Sequence, residues 1–229
     1  MPSAQQQETD EGVELGMGRT ADFRSLLQAI HSSNISNLSL MHPRGKVLFA
    51  EGESARGVFI LRTGTATESI SSSEGRVVIL RLAQAGEVLG LNSVLRNACY
   101  NTTIKTIDPC RTDFIPRAAL VELMEKDQRA ARAIAQLLSR EIAELTERAR
   151  LLLLPQTANA KLAKLLLELS EQSQITKSFT HEQIAHMICS SRETVTRLLA
   201  SLNRRRIIRV TPGSILISDP AALQKIAGS

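Results

Sequence analysis

The chain has 229 residues, 43% of them apolar and 22% charged, the proportions of a globular protein rather than of a disordered or collagen-like one. Its net charge of +5 is unevenly placed: residues 1–155 hold 18 basic and 18 acidic side chains, and residues 156–229 hold 10 and 5. No run approaches the roughly 18 apolar residues of a membrane span, so a soluble chain with no membrane partner is expected. Three cysteines (Cys99, Cys110, Cys189) without a CxxC pair give neither a disulfide framework nor a zinc knuckle, which points to a reducing compartment.

Residues 1–20 have neither the basic start and apolar core of a secretory signal nor the arginines of a transit peptide, and read as a flexible cytoplasmic tail. Phe23, Leu26, Leu27 and Ile30 stand at helical spacing and predict a short helix over 22–30. From Lys46 to Pro116, seven β-branched runs are separated by glycine or polar turns: KVLFA, GVFILRTG, TATESI, RVVILRL, GEVLG, TTIKTI and CRTDFI. Short strands at this spacing predict a β sandwich or roll. Cys99 and Cys110 are expected to be ordinary cysteines of that domain, able to pair only if neighbouring strands align them.

After Pro116 the apolar period becomes 3.6, predicting a short helix over 117–126 and a long one ending at Pro155. In the long one Leu138, Ile142, Leu145, Ala149 and Leu152 recur at spacings of 4, 3, 4 and 3, the seam of a coiled coil. Some 25 residues make a rod of about 37 Å, longer than a small β domain covers. The seam is therefore read as a dimer contact in preference to a helix packed on its own domain. Pro155 marks a hinge, and a further helix follows over 158–170, with Leu162, Leu165, Leu166 and Leu169 facing inward.

Residues 180–203, THEQIAHMICSSRETVTRLLASLN, read as two helices joined by a tight turn. Thr180 with Gln183 forms a capping box, Cys189 and Ser190 make the turn, and Ser190 with Glu193 repeats the capping signature. Val195, Leu198, Leu199 and Leu202 form one apolar stripe on the second helix. At 100° per residue, Glu193 and Arg197 fall about 160° and 200° from Val195, opposite that stripe, with Thr196 beside them. Arginine can hold guanine O6 and N7 bidentately, and glutamate can accept from cytosine N4. Glu193 repels phosphate, so base reading explains the face better than backbone attraction. Arg192 lies about 60° from Val195 and reaches a groove only through its place in the first turn. Beyond the helix, RRRIIRVTPGSILIS reads as a basic strand, a Pro-Gly turn and a second strand, the wing of a winged helix-turn-helix. His181 and His186 superficially match a HExxH zinc motif, but five residues apart they lie about 140° round a helix and share no metal. No GxSxG, P-loop or paired carboxylates offer a catalytic set, and no enzyme is expected.

The string SRETVTRLLASLNRRRIIRV resembles the recognition helix and wing of the CRP/FNR family. KVLFAEGESARGVFILRTGTATES and GEVLG resemble that family's cyclic-nucleotide-binding β roll, and the order of parts agrees over residues 21–220. The resemblance implies an α+β fold: a tail (1–20), a β-roll sensor domain (21–127), a dimerisation helix and hinge (128–155) and a winged helix-turn-helix domain (156–229). It implies a cytoplasmic homodimer that reads a palindromic, TGTGA-like site in double-stranded DNA and works with RNA polymerase. Arg192, Glu193 and Arg197 match the family's base-reading positions, and Ser191 and Thr194 its phosphate contacts. Thr180, Arg204, Arg205 and Arg209 complete the expected phosphate set. Thr196 departs from the glycine of the cyclic-AMP type and the serine of the redox type, which leaves one base of the half-site open.

The sensory pocket fits the resemblance less well. Cyclic-nucleotide binders of the family follow the glycine of the second GE motif with a glutamate for the ribose, and hold the phosphate with an Arg-Ser pair further on. Here Gly90 is followed by Leu91, and the Arg-Ser slot holds Tyr100, Asn101 and Thr102, with Arg96 the nearest arginine. A buried phosphate without a counter-charge is costly, so cyclic AMP is not the expected effector. An iron–sulfur sensor needs four cysteine ligands with an N-terminal cluster, which this chain lacks. The alternative function is a nucleotide-gated interaction module whose C-terminal part docks a protein rather than DNA.

Overall fold

The computed structural model describes residues 17–33, 38–153, 157–170, 174–175, 179–211 and 213–228. It divides into two compact units, one of residues up to 70 with 81–144, the other of 71–80 with 145–229.

The first unit opens with α1 (Met17–Ser32), followed by β1 (Leu38–His42), β2 (Val47–Phe49), β3 (Gly57–Thr63), β4 (Thr65–Ser71), the second half of β5 (Val77–Gln84), whose first four residues are grouped with the other unit, and β6 (Glu87–Leu89). Then come α2 (Leu91–Leu95), β7 (Thr103–Thr106), β8 (Cys110–Pro116), α3 (Arg117–Lys126) and the start of α4 (Gln128–Leu153). The strands form two four-stranded sheets, ordered β1-β8-β3-β6 and β2-β7-β4-β5. Val58, Ile60, Leu61, Leu89, Ile104 and Ile115 fill the space they enclose. Leu26 and Ile30 of α1, Leu120 of α3, and Ala130, Ala133 and Ile134 of α4 extend the same core. All seven expected strands are present. The chain adds β1, whose Leu38 and Met41 are exposed and whose five residues therefore lack the alternation that marks a half-buried strand. Helix α1 starts at Met17, five residues before the expected start and inside the stretch read as a flexible tail.

The second unit contains α5 (Ala158–Leu169), β9 (Gln174–Ile175), α6 (His181–Ile188), α7 (Arg192–Arg204), β10 (Ile208–Thr211), β11 (Ser214–Ile217) and α8 (Pro220–Ala227). Thr157 caps α5 by accepting from the Ala160 amide at 3.1 Å. The three short strands form an antiparallel sheet ordered β10-β11-β9. Two elements add to those expected. Strand β9 emerges from the polar stretch EQSQITKS because Ile175, 2% exposed, pairs with Ile215. Helix α8 starts at Asp219, whose carboxylate accepts from the Ala222 amide, and buries Leu223. Pro155, the expected hinge, lies outside the described residues.

Gly57 shows how closely β3 and β8 approach. A Cβ there would sit 2.3 Å from the Ile115 carbonyl oxygen and 2.5 Å from the Phe114 ring. A methyl group at this point has to push strand backbone aside. Gly57→Ala is expected to lower stability by about 1–3 kcal/mol, the usual cost of overpacking, measured as a shift in denaturant midpoint at unchanged m.

Candidate nucleic-acid interface

Helices α6 and α7 form the paired helices expected from the sequence. Thr180 caps α6 in a complete capping box: its hydroxyl accepts from the Gln183 amide at 3.1 Å, and the Gln183 carboxamide accepts from the Thr180 amide at 2.9 Å. Cys189 ends the helix in the left-handed conformation at φ 50°. The next cap differs from expectation by one residue. Ser191, not Ser190, caps α7 and accepts from the Thr194 amide at 3.2 Å, which places Glu193 second in the helix rather than in the capping-box position. The Ser191 hydroxyl also donates to Thr194 Oγ1 at 3.1 Å. These two phosphate candidates therefore support each other.

Val195, Leu199 and Leu202 are buried, and Leu198 half-buried, along one side of α7. Arg192, Glu193, Thr196 and Arg197 are all exposed. Arg192, which the wheel set nearest the apolar stripe, also reaches solvent. The Glu193 carboxyl is held below its ordinary range, first by its own backbone amide and further by the neighbouring Arg192, so it stays an ionised acceptor. Thr196 donates its hydroxyl to the Arg192 carbonyl at 2.9 Å and lies 2.8 Å from His181 Nδ1. Arg204, Arg205 and Arg206 are exposed at the end of α7, and Arg209 is exposed on β10. The wing is tied to the helix where the Val210 amide donates to Asn203 Oδ1 at 3.2 Å.

The β roll carries a second candidate site. A cavity of about 50 Å³ is lined by Arg81, Glu87, Leu91, Leu137, Glu141 and Glu144, with parts of β6 and Arg140. Ligand pockets usually span roughly 300–1,000 Å³, so this one is too small to take a nucleotide as it stands. Of the expected effector residues only Leu91 lines it. Gly90, at φ 79°, packs against the Tyr100 ring, which stacks on Phe49 at 3.8 Å and donates its hydroxyl to the Gly57 carbonyl. Asn101 is exposed and accepts from Ser93 Oγ at 3.0 Å, while Arg96 is exposed and does not line the cavity.

Thr102 donates to Glu68 Oε1 at 2.9 Å, and so leads to the group that sequence reasoning missed. Arg81 on β5 lies 2.7 Å from Glu68 Oε2 on β4 and forms a second ion pair with Glu87 on β6. Burial by itself would lower the Arg81 pKa, but Glu87 and Glu68 together hold it above its ordinary value. Arg140 of α4 is likewise engaged by Asp22 of α1. Glu141 of α4 faces this cluster, and its pKa is raised by burial first and then by Glu68, with Arg81 opposing. Only tertiary pairing across three strands brings Glu68, Arg81 and Glu87 together, and no local spacing announces it.

Cys99 is exposed and Cys110 buried, both as free thiols; burial raises the Cys110 pKa, which leaves it a protonated core residue. Among the described residues no cluster of three His, Cys, Asp or Glu side chains could hold a metal, and no helix is long and apolar enough to cross a membrane.

Two family profiles match the chain: "Cyclic nucleotide-binding domain" over residues 40–127 and "Crp-like helix-turn-helix domain" over residues 160–226. A CRP-like cAMP-activated global transcriptional regulator of Mycobacterium tuberculosis is 28% identical over 197 residues, covering 81% of this chain and 86% of that protein. Transcriptional regulator LdrP of Thermus thermophilus is 29% identical over 196 residues, covering 81% and 95%. Among solved structures, FixK2 from Bradyrhizobium japonicum superposes with a TM-score of 0.76 at 20% identity, covering 85% of this chain and 99% of that one. The structure of TTHB099, a transcriptional regulator of the CRP family from Thermus thermophilus, gives 0.71 at 25% identity, covering 83% and 97%.

Two substitutions probe these local features. Cys189→Gly is expected to stabilise the fold by about 0.5–1 kcal/mol in thermal or denaturant unfolding, because relief of the roughly 1–2 kcal/mol that a side chain costs in the left-handed region is partly offset by glycine's greater freedom in the unfolded chain. Glu141 has a folded-state pKa above its ordinary value of 4.5, so its contribution to stability is fully present below that value and is lost as the pH rises through the raised one. Glu141→Gln should therefore raise the melting temperature at neutral pH, with the gain shrinking toward pH 4.5. An equal gain at both pH values would show that Glu141 ionisation carries no such cost.

Proposed function

The chain belongs to the CRP/FNR family of DNA-binding transcription regulators, and from that premise we propose that it acts as a cytoplasmic homodimer reading a palindromic, TGTGA-like site. The observation that carries this reading is the exposed face of α7, where Glu193 and Arg197 stand opposite the buried stripe of Val195, Leu199 and Leu202, with Thr196 beside them and Arg192 exposed at the stripe's edge in the first turn. Arginine and carboxylate on the first two turns of such a helix match guanine and cytosine edges in the major groove. Thr180, Ser191, Thr194, Arg204, Arg205 and Arg209 supply the backbone contacts. No observation favours the alternative in which this region docks a protein.

The dimer is supported by α4. Its 26 residues extend about 39 Å. Ile142 is 65% exposed and Leu145 37%, with Ala149 also exposed and Leu138 half-buried on the same seam. The side chain of Leu152, the last expected member, lies outside the described residues. An exposed apolar stripe on a long helix is what a second copy would cover. Two copies would present paired α7 helices to half-sites about 34 Å apart. A change at the β roll would then reorient the long helices and match the spacing of the DNA-binding domains to the site, with RNA polymerase the further partner expected from the family.

The effector is proposed to be something other than cyclic AMP. The buried arginine nearest the cavity is already neutralised by Glu68 and Glu87, and Glu141 and Glu144 add negative charge to the same wall. A cyclic phosphate brought there would meet more carboxylates than free cations.

Binding-site selection with quantitative affinity measurement tests the interface. Arg197→Ala should cost about 1–3 kcal/mol and relax one base position per half-site, whereas Arg205→Ala should weaken all sequences alike and reduce the salt slope. The same selected motif for Arg197→Ala as for the unmodified protein would remove Arg197 from the base-reading set.

A further inference from the structure

Thr196 is exposed on α7 beside Arg197, on the face proposed to read bases, and its hydroxyl is not free. A threonine hydroxyl has one proton and two lone pairs. The proton goes to the Arg192 carbonyl oxygen, 2.9 Å away, since a carbonyl can only accept. His181 Nδ1 lies 2.8 Å from the same oxygen of Thr196, and with that proton spent the only consistent assignment makes His181 the donor, with its proton on Nδ1. His181 is the first residue of α6 and Thr196 sits in the second turn of α7, so the contact bridges the two helices. The imidazole that superficially matched a zinc motif thus has a partner on the recognition helix.

We infer that His181 is a positioning residue for sequence recognition: by fixing the Thr196 hydroxyl it leaves the γ-methyl as that side chain's contact with the base edges, and selects thymine there. A threonine free to rotate can donate to guanine, adenine or the thymine O4, and so discriminates poorly. One whose proton is spent cannot donate to any base acceptor, and the single lone pair left beside the one His181 takes could accept only from adenine N6 or cytosine N4, which gives thymine nothing but the methyl contact. Its remaining apolar group is complemented in the major groove by the 5-methyl of thymine, the one methyl the groove presents. This inference rests on the reading of α7 as the base-contacting helix.

The test removes that methyl from the DNA. Once a site has been selected for the unmodified protein, each thymine of the half-site is replaced in turn by deoxyuracil and affinity is measured. One replacement should weaken binding about threefold to fourfold, the value of one buried methyl group. The same replacement should cost Thr196→Val as much, since valine keeps the methyl groups and lacks the hydroxyl. It should cost Thr196→Ser nothing. His181→Ala should lose the thymine preference at that position alone, and His181→Asn, which keeps a donor near the place of Nδ1, should restore it. Indifference of the unmodified protein to every uracil replacement overturns the inference, and that result needs no variant to fold. An uracil effect that persists unchanged in Thr196→Ser, or a His181→Ala variant with unchanged preferences, overturns it equally. Failure of the unmodified protein to select any sequence would instead sink the reading of α7 on which the inference stands.

Discussion

The burial of three side chains, Val195, Leu199 and Leu202, governs what α7 can do. They are spaced so that one stripe of the helix is consumed by the core formed with α5 and α6, and everything opposite that stripe is forced outward. Burying each is worth about 1.5–3 kcal/mol, so the helix cannot rotate without losing several such terms together. Its orientation is therefore set by aliphatic packing, and Glu193, Thr196 and Arg197 inherit fixed directions at little entropic cost. Capping completes this arrangement. Thr180 and Ser191 satisfy amides that the starts of α6 and α7 leave open, and the left-handed Cys189 turns the chain between them.

In the β roll, charge performs the equivalent task. Arg81 joins β5 to β4 and β6 through ion pairs with Glu68 and Glu87. Glu141 of α4 faces that cluster and is followed directly by Ile142, which is 65% exposed on the proposed dimer seam. The charge state of the β-roll cavity and the apolar stripe of α4 thus lie on adjacent residues of one helix. In the proposed dimer, that adjacency would link the β-roll cavity to the subunit contact within a single helical turn.

The parts of this architecture that were legible in the sequence are those dictated by local periodicity. The stripe of α7, the seam of α4 and seven of the strands follow from apolar spacing alone. Where two residues could serve the same local purpose, spacing was insufficient: Ser190 and Ser191 are both capable caps, and only the backbone conformation selects the second. Strand β1 was illegible because it is an exposed edge, and β9 because two residues carry no period. Helix α8 did have a signal, an Asp-Pro start before an apolar run, which its short length obscured. The Glu68–Arg81–Glu87 cluster had none, since each residue is an unremarkable strand position until antiparallel pairing joins them. The bond between His181 and Thr196 was hidden for the same reason, being tertiary between two helices that were each legible on their own.

Sequence recognition of this kind requires the outward face of α7 to enter a major groove, and dimethyl sulfate footprinting of the bound complex reads that directly, because it modifies guanine N7 on the groove floor. With the unmodified protein bound at its selected site, at least one guanine in each half-site should be protected, and that protection should vanish for Arg197→Ala at protein concentrations that keep the site occupied. Full reactivity of every guanine N7 in a saturated complex would place α7 outside the groove and contradict the account.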